Sequence, residues 1–520
     1  MYRVDTDNSD AINRFLVASH NIPLYKSLPI VQIALICIWY ERKELQGSLC
    51  NIYAQMLKMI CKNLSNPKEY MQDRSKSVVD FPCFLKCRNI KTFEETIYSL
   101  SKLAFMQSFA YSRENSVVFD IDAVEKCLSD SQEKLALEWG ILTEEKIESL
   151  TQLLCNFSFW HKTIQEFLAC LYAAKHDDCL HVILGFISDQ TQDAFEIHQI
   201  FLFLCGLKPA IAESISETVA ARIPTHSTLN SPFTSYEYTV SKPNDHFIQT
   251  VQNMIIKGCK EARANKLKNG KFVLEHYTFY DWSLKDSSDA AILREIFLLN
   301  RNSIRTLVIQ NNPEIPSSEE IQKALTKSGE TMRSLDLCHI DGHFDLSSCR
   351  NLEYLGIRGP CTLALPDAFK RIKTLSLGTP FDIELLRRVT NDSLPNIEIF
   401  EISNIAAFSD SILNLKNLSY IAVRKSNFEN VCLLLPLSIR SIDLFTVELK
   451  AATASSMVNH MTKVQHKVTL SLQNCVISDP DILEACKRAV RSSPRYNVLK
   501  DDAATFLLET TVALKSDSLL

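Results

Sequence analysis

The chain has 520 residues, 46% of them hydrophobic and 22% charged, with a net charge of −5. That length exceeds one ordinary domain, so roughly two to four are expected, and the weakly acidic balance argues against a nucleic-acid partner. The 17 cysteines lie scattered through apolar runs such as Leu35-Ile36-Cys37-Ile38 and Leu204-Cys205-Gly206, as free thiols do in a reducing compartment.

Cys83 and Cys87 have no matching second pair, so no metal site is expected. Residues 1–20 show no charged segment followed by an apolar run, and no secretory leader is expected. The longest apolar stretch, Leu28 to Tyr40, is broken by Pro29 and Gln32 and falls short of the ~20 residues of a membrane span. The expectation is a cytoplasmic protein with no membrane span.

In chain order, Ile30, Ile33, Ala34 and Cys37 share one helical face, with Trp39 near the end of that helix. Leu49, Ile52, Tyr53, Met56, Leu57 and Ile60 repeat the pattern in a second helix. Residues 62–82, polar and carrying Pro67 and Pro82, read as a connection. Phe93 to Met106 is helical again. Val117-Val118-Phe119 reads as a short strand, short helices follow to Gly140, and Asn156 to Trp160 is a second strand. Helices with small strand pieces suggest a winged-helix-like unit over 83–175. From 176 to about 257 the chain reads as helical. The run Lys257, Lys260, Arg263, Lys266, Lys268, Lys271 reads as a solvated face at a domain boundary.

After 272 the period changes. The template L-x-x-L-x-L, allowing Ile, Val or Met, recurs from Ile304, Met332, Leu352, Ile372, Ile397, Leu418 and Ile439, with a weaker copy from Lys467. The spacings are 28, 20, 20, 25, 21, 21 and 28 residues, matching the period of leucine-rich repeats. Apolar positions then point into a stacked core while alternate ones stand out from a parallel sheet. Asn311, Asn404 and Asn474 follow the last apolar position by two residues, where an asparagine ladder would bond the turn backbone. The expected fold is a mainly α front half (helical domain, winged-helix-like domain, second helical domain) followed by an α/β leucine-rich-repeat solenoid. The expected boundaries are 1–65, 83–175, 176–260 and 275–500.

The segment Asn156–Ala174, NFSFWHKTIQEFLACLYAA, contains Thr163-Ile-Gln-Glu166, which has the form of a capping box. Ile164, Phe167, Leu168 and Leu171 then define one helix face. His161 falls just before the helix N-terminus, where unpaired N–H groups favour an anion such as phosphate. A lone histidine at such a place is more often structural.

This segment resembles the one that closes the winged-helix domain of NOD-like receptors, the NACHT-containing signalling NTPases. Ser27 to Trp39, Leu100 to Phe105, Val118-Phe119, Leu137 to Leu142 and Phe203 to Leu207 are similar to other segments of that family, in the same order. The resemblance implies that His161 touches the β-phosphate of bound ADP and that Pro29, or alternatively Pro23, packs near the adenine. It also implies a switch in which ADP holds the receptor shut until a ligand contacts the repeats. A phosphate loop needs G-x-x-x-x-G-K-[S/T], and among the 11 glycines only Gly270 is followed by lysine, with Phe272 in the Ser/Thr place. ADP or ATP is therefore expected to require a P-loop domain absent from this chain, and no cofactor is expected on it.

No catalytic constellation has a supporting context, and no enzyme activity is expected. The functional expectation is a non-catalytic protein of innate-immune or related signalling, binding a protein partner or a microbial or danger ligand through its repeats. Association with full-length NOD-like receptors is a further expected partnership. The alternatives are a fragment of a nucleotide-switched NACHT receptor, or a leucine-rich-repeat adaptor. The expected partner-binding residues are those projecting from the strands: Arg305, Arg333, Asp336, Glu353, Tyr354, Lys373, Glu398, Glu401, Tyr420, Arg424, Arg440 and Asp443. Their mixed signs suit a protein surface rather than a polyanion.

Overall fold

Leu49, Ile52, Tyr53, Met56 and Leu57 are spaced along one face of a helix, and they are the buried side of α1 (Leu49–Lys62). The computed structural model describes residues 32, 35–39, 48–62, 81–84, 93–109, 117–148, 153–190, 197–223, 243–268, 270–279, 287–310, 316–366, 369–378, 392–403, 415–425, 427–428, 435–449, 457, 464, 466–477, 496–501 and 505–510. The chain forms two units, Met1–Arg222 with Gln249–Val273, and Ile223–Ile248 with Leu274–Leu520. Most of the expected helical domain over 1–65, including Pro23 and Pro29, lies outside the described residues.

In the first unit, α1 is followed by α2 (Glu94–Ser108), β1 (Val118–Asp120), α3 (Ile121–Glu125) and α4 (Asp130–Glu138). Then come β2 (Leu142–Glu148), β3 (Leu153–Phe159), α5 (Lys162–Lys175), α6 (Cys179–Gln190), α7 (His198–Leu207), α8 (Pro209–Arg222) and α9 (Pro243–Ala264), which enters this unit at Gln249. Local chemistry sets the boundaries. Asp120 caps α3 by accepting the Ala123 N–H at 2.9 Å, and Ser129 with Gln132 makes a capping box on α4. Gly140 ends α4 at φ +67, a left-handed conformation that glycine adopts without a Cβ penalty.

The three strands form an antiparallel sheet in the order β1-β3-β2. Strand β2, a stretch between Gly140 and Asn156 to which the sequence reading gave no element, pairs with β3 along its whole length, from Leu142 opposite Phe159 to Glu148 opposite Leu153. The core between α1, α5 and α7 is aromatic: the Tyr53 ring lies 5.4 Å from Phe167 and 5.0 Å from Phe203.

The second unit begins with β4 (His276–Phe279), α10 (Ser287–Asn300), β5 (Thr306–Gln310) and α11 (Ser318–Lys327). Strands then dominate: β6 (Ser334–Cys338), β7 (His343–Asp345), β8 (Tyr354–Arg358), β9 (Thr362–Ala364), β10 (Thr374–Gly378), β11 (Ile399–Ser403) and β12 (Tyr420–Arg424). They continue as β13 (Asn427–Phe428), β14 (Ser441–Phe445), β15 (Glu448–Leu449), β16 (Thr469–Gln473), β17 (Val476–Ile477), β18 (Tyr496–Asp501) and β19 (Thr505–Thr510).

One 11-stranded sheet takes the order β4-β5-β6-β8-β10-β11-β12-β14-β16-β19-β18. Its strands from β4 to β16 are parallel, and β19 and β18 close it in antiparallel fashion. The two apolar strand positions of each sequence copy become two buried rows. One contains Leu307, Leu335, Leu355, Leu375, Phe400, Ile421, Ile442 and Leu470, and the other runs from Ile309 and Leu337 to Leu472. Each such side chain contributes about 1.5–3 kcal/mol by leaving water. After several strands one residue turns left-handed, namely His339, Lys425, Thr446 and Asn474, with φ of 53°, 47°, 52° and 50°.

This sheet corrects the fold class. In place of a mainly α front half followed by an α/β leucine-rich-repeat solenoid, the second half of the chain is an α/β structure on one large, mostly parallel sheet, and the front half carries a sheet of its own. The apolar spacing reports buried strand positions, but it carries no information on what covers the alternate ones. Strands β4 and β6 are buried at every position, as expected of parallel strands covered on both faces. The asparagine ladder is likewise corrected at Asn474, which is exposed in a left-handed turn; Asn311 and Asn404 lie outside the described residues.

Candidate binding face on the parallel sheet

The register of the large sheet sorts the expected partner-binding residues into two groups. Arg305, Arg333, Glu353, Lys373, Glu398 and Arg440 each directly precede a strand, so they form a rim and not the face itself. Their charges pair along the rim: Arg305 with Glu275 at 2.7 Å, Arg333 with Glu353 at 3.8 Å and Lys373 with Glu398 at 3.7 Å. Exposed pairs of this kind contribute little energy.

The other six stand on the strands, and the sheet groups them differently from their spacing in the chain. Asp336, Gly356, Ser376, Glu401, Ala422 and Asp443 share one row across β6, β8, β10, β11, β12 and β14. Tyr354 and Tyr420 lie on the row before it, and Arg424 on the row after it. Asp336 and Tyr354, expected to be accessible, are buried at 2% and 5% exposure. That is a correction: the alternate face of the first strands is covered.

Arg358, which spacing did not single out, completes the first cluster. Its Nη2 donates to Asp336 Oδ2 at 2.8 Å, and the Tyr354 hydroxyl donates to the same oxygen at 3.4 Å. Asp336 beside it holds the Arg358 guanidinium still more firmly protonated. The carboxylate fits only because position 356 is glycine: a Cβ there would lie 2.7 Å from Asp336 Oδ1. A second cluster mirrors the first. The Tyr420 hydroxyl donates to Asp443 Oδ2 at 2.7 Å, with Arg424 four residues further along β12. Burial raises the Asp443 carboxyl above its usual range, opposed by the Tyr420 hydrogen bond and by Arg424. The Tyr420 hydroxyl is also pushed up, by burial and then by Asp443. The signal was present in the sequence as YLGIR and YIAVR, the same Tyr-x-x-x-Arg spacing on two strands.

Between the clusters lie β10 and β11. Their face-side positions are Thr374, Ser376 and Gly378, then Ile399, Glu401 and Ser403. Thr374, Ser376, Gly378 and Ser403 make a floor of small residues interrupted by Ile399 and Glu401, with Arg358 lying over Gly378 on one side and Tyr420 and Arg424 on the other. Successive strands are about 4.8 Å apart, so Tyr354 and Tyr420, three strands apart, bracket roughly 14 Å.

His161 lies in the first unit. It is the N-cap of α5, where its Nδ1 accepts the Thr163 N–H at 3.2 Å. This corrects the capping-box reading: Thr163 sits inside the first turn, and the cap is the histidine. The Tyr53 hydroxyl donates to Thr163 Oγ1 at 2.5 Å, and Oγ1 lies 2.9 Å from His161 Nδ1. With Nδ1 accepting, neutral His161 carries its proton on Nε2. Glu166, one turn on, pairs with Lys162 at 4.0 Å, and burial raises its carboxyl to about 7.

Among the described residues no group of three His, Cys, Asp or Glu side chains is placed to hold a metal ion, and no helix is long and apolar enough to cross a membrane. No protein-family model and no curated protein matches the chain.

Proposed function

We propose that this chain is a non-catalytic binding protein of intracellular signalling, of the NOD-like-receptor type, which takes a polypeptide partner on the face of its parallel sheet. The observation that carries this reading is the pair of Tyr–Asp–Arg clusters on either side of the floor formed by β10 and β11. Bonded clusters hold aromatic and guanidinium groups in place before a partner arrives, which lowers the entropy cost of binding, and these residue types are enriched at interface hot spots. The test is selection of binders from a displayed random peptide library on the whole chain. Selected peptides should lose at least about tenfold in affinity, roughly 1.4 kcal/mol, when the floor is filled by Thr374→Tyr or Ser403→Tyr. Unchanged affinity for both variants overturns the reading.

A second reading, favoured by the His161 corner, is a nucleotide-switched receptor in which a P-loop segment outside this chain supplies the rest of the site. Its test is ADP titration of the chain alone and together with a candidate P-loop protein, with His161→Ala as the control. Binding that needs the second protein and His161 supports it.

A further inference from the structure

In the first unit, the order β1-β3-β2 leaves β2 at the end of its sheet. The Trp160 N–H donates to the Ile141 carbonyl at 2.9 Å, which fixes the phase of the ladder between β2 and β3. Antiparallel pairs alternate between bonded and non-bonded positions, so the backbone groups of Thr143, Glu145 and Ile147 turn towards β3. Those of Leu142, Glu144, Lys146 and Glu148 turn away from it. Among the described residues nothing bonds to that outer row.

The edge is also accessible. Thr143, Glu144, Glu145 and Lys146 are exposed, while Leu142 anchors the strand in the core at 1% exposure. The strand has seven residues, which span roughly 24 Å at ~3.4 Å each. Strand β1, at the opposite end of the sheet, has only three. An open row of N–H and C=O groups is a template on which a further strand can form.

Charge selects among the strands that could use it. Glu144 and Glu145 stand on β2 itself, and α4, which packs against β2, carries Asp130 and Glu133. Burial, then Glu144, Asp130 and Glu125, raises the Glu133 carboxyl above its usual range, as carboxylates near one another do. The strand's one cation, Lys146, lies 3.9 Å from Glu144. A second copy of this chain fits the edge badly. The antiparallel register that sets Glu144 opposite Lys146 also sets Glu145 opposite Glu145, and like charges directly opposite are destabilising.

We propose that β2 receives an extended, basic segment of a partner polypeptide, which joins the sheet as a further strand. Backbone bonds to Leu142, Glu144, Lys146 and Glu148 supply the affinity, and lysine or arginine side chains beside Glu144 and Glu145 supply the selection. The same glutamates hold copies of this chain apart. This site lies in the first unit and is independent of the face on the large sheet.

The probe is a fluorescein-labelled peptide of about eight alternating lysines and valines, titrated with the whole chain by fluorescence anisotropy at about 0.15 M salt, where charges beyond ~8 Å are screened. It should bind. The same peptide with methylated backbone nitrogens, equal in charge but unable to donate, should bind at least about tenfold more weakly. Lys146→Pro removes an outward N–H and leaves the bonds to β3 intact, at a place where an edge strand tolerates proline. It also makes the edge more acidic, so charge attraction alone gives equal or tighter binding, whereas strand addition gives a loss of at least about tenfold. Glu144→Gln combined with Glu145→Gln should weaken the peptide, and a peptide with glutamate in place of lysine should not bind.

No binding of the lysine peptide, equal binding of the methylated or glutamate peptide, or unchanged affinity for Lys146→Pro or for the double glutamine variant overturns the proposal. If circular dichroism shows that Lys146→Pro does not fold, the methylated peptide decides in its place. A chain that sediments as a dimer and becomes monomeric as Lys146→Pro also overturns it, because a second copy then occupies the edge.

Discussion

The Glu261 carboxylate caps helix α1 from 212 residues away: its Oε2 accepts the Leu49 N–H at 2.7 Å. Its Oε1 accepts from the Cys50 N–H at 2.8 Å, the Ser48 hydroxyl at 2.8 Å and Asn265 Nδ2 at 2.9 Å. A helix N-terminus leaves N–H groups unpaired and carries partial positive charge, so one buried carboxylate on α9 satisfies the start of α1. Helix α7 passes so close that only glycine fits at 206, where a Cβ would lie 2.6 Å from Cys50 Sγ and 2.8 Å from Glu261 Oε1.

Two substitutions test this junction. Glu261→Gln should lower stability by roughly 2 kcal/mol, because charge-assisted bonds weaken and an amide hydrogen faces donors. Gly206→Ala should cost roughly 1–3 kcal/mol through overpacking. Urea unfolding followed by the fluorescence of Trp139 and Trp160, both in this unit, reads the change. Values within 0.5 kcal/mol of wild type, the range of ordinary surface substitutions, would show that the junction contributes nothing.

His276 predicts an acid-sensitive sheet. Burial, then the nearby Arg305, depresses its pKa to about 4, against 6.5 for the free side chain. A depressed folded value means the stabilisation is fully present above pH 6.5 and is lost as the pH falls from there through 4. The full effect is on the order of 3 kcal/mol. Its Nδ1 lies 2.9 Å from Thr306 Oγ1, a contact that asparagine reproduces. His276→Asn should therefore flatten the loss of stability between pH 6.5 and 4.5, measured by circular dichroism in urea; an unchanged slope sinks the prediction.

Asp336 and Arg358 should behave as a coupled pair. Removing either charge alone, by Asp336→Asn or Arg358→Met, leaves the other poorly solvated and should cost about 3 kcal/mol. The double variant should cost less than the sum, with an interaction energy of about 2 kcal/mol. Additive effects in the cycle would place the two groups in independent settings.

Much of the strand half was legible in the chain alone. A repeated L-x-x-L-x-L at 20–28-residue spacing already requires strands with two buried positions each, because alternate side chains point to opposite faces, and those positions became the two apolar rows. Tyr354 with Arg358 and Tyr420 with Arg424 were likewise written as the same four-residue step. Neither pattern decides which strand lies beside which acid, nor whether the alternate face is wet. Asp336 reads as an exposed strand acid until the register brings it over Gly356 and against Arg358, and Glu261 reads as a solvated helix acid until it meets Leu49. Those roles depend on contacts between residues far apart in sequence. Periodicity reports the environment of a position relative to its own element, whereas burial and pairing are properties of neighbours that only the folded chain supplies.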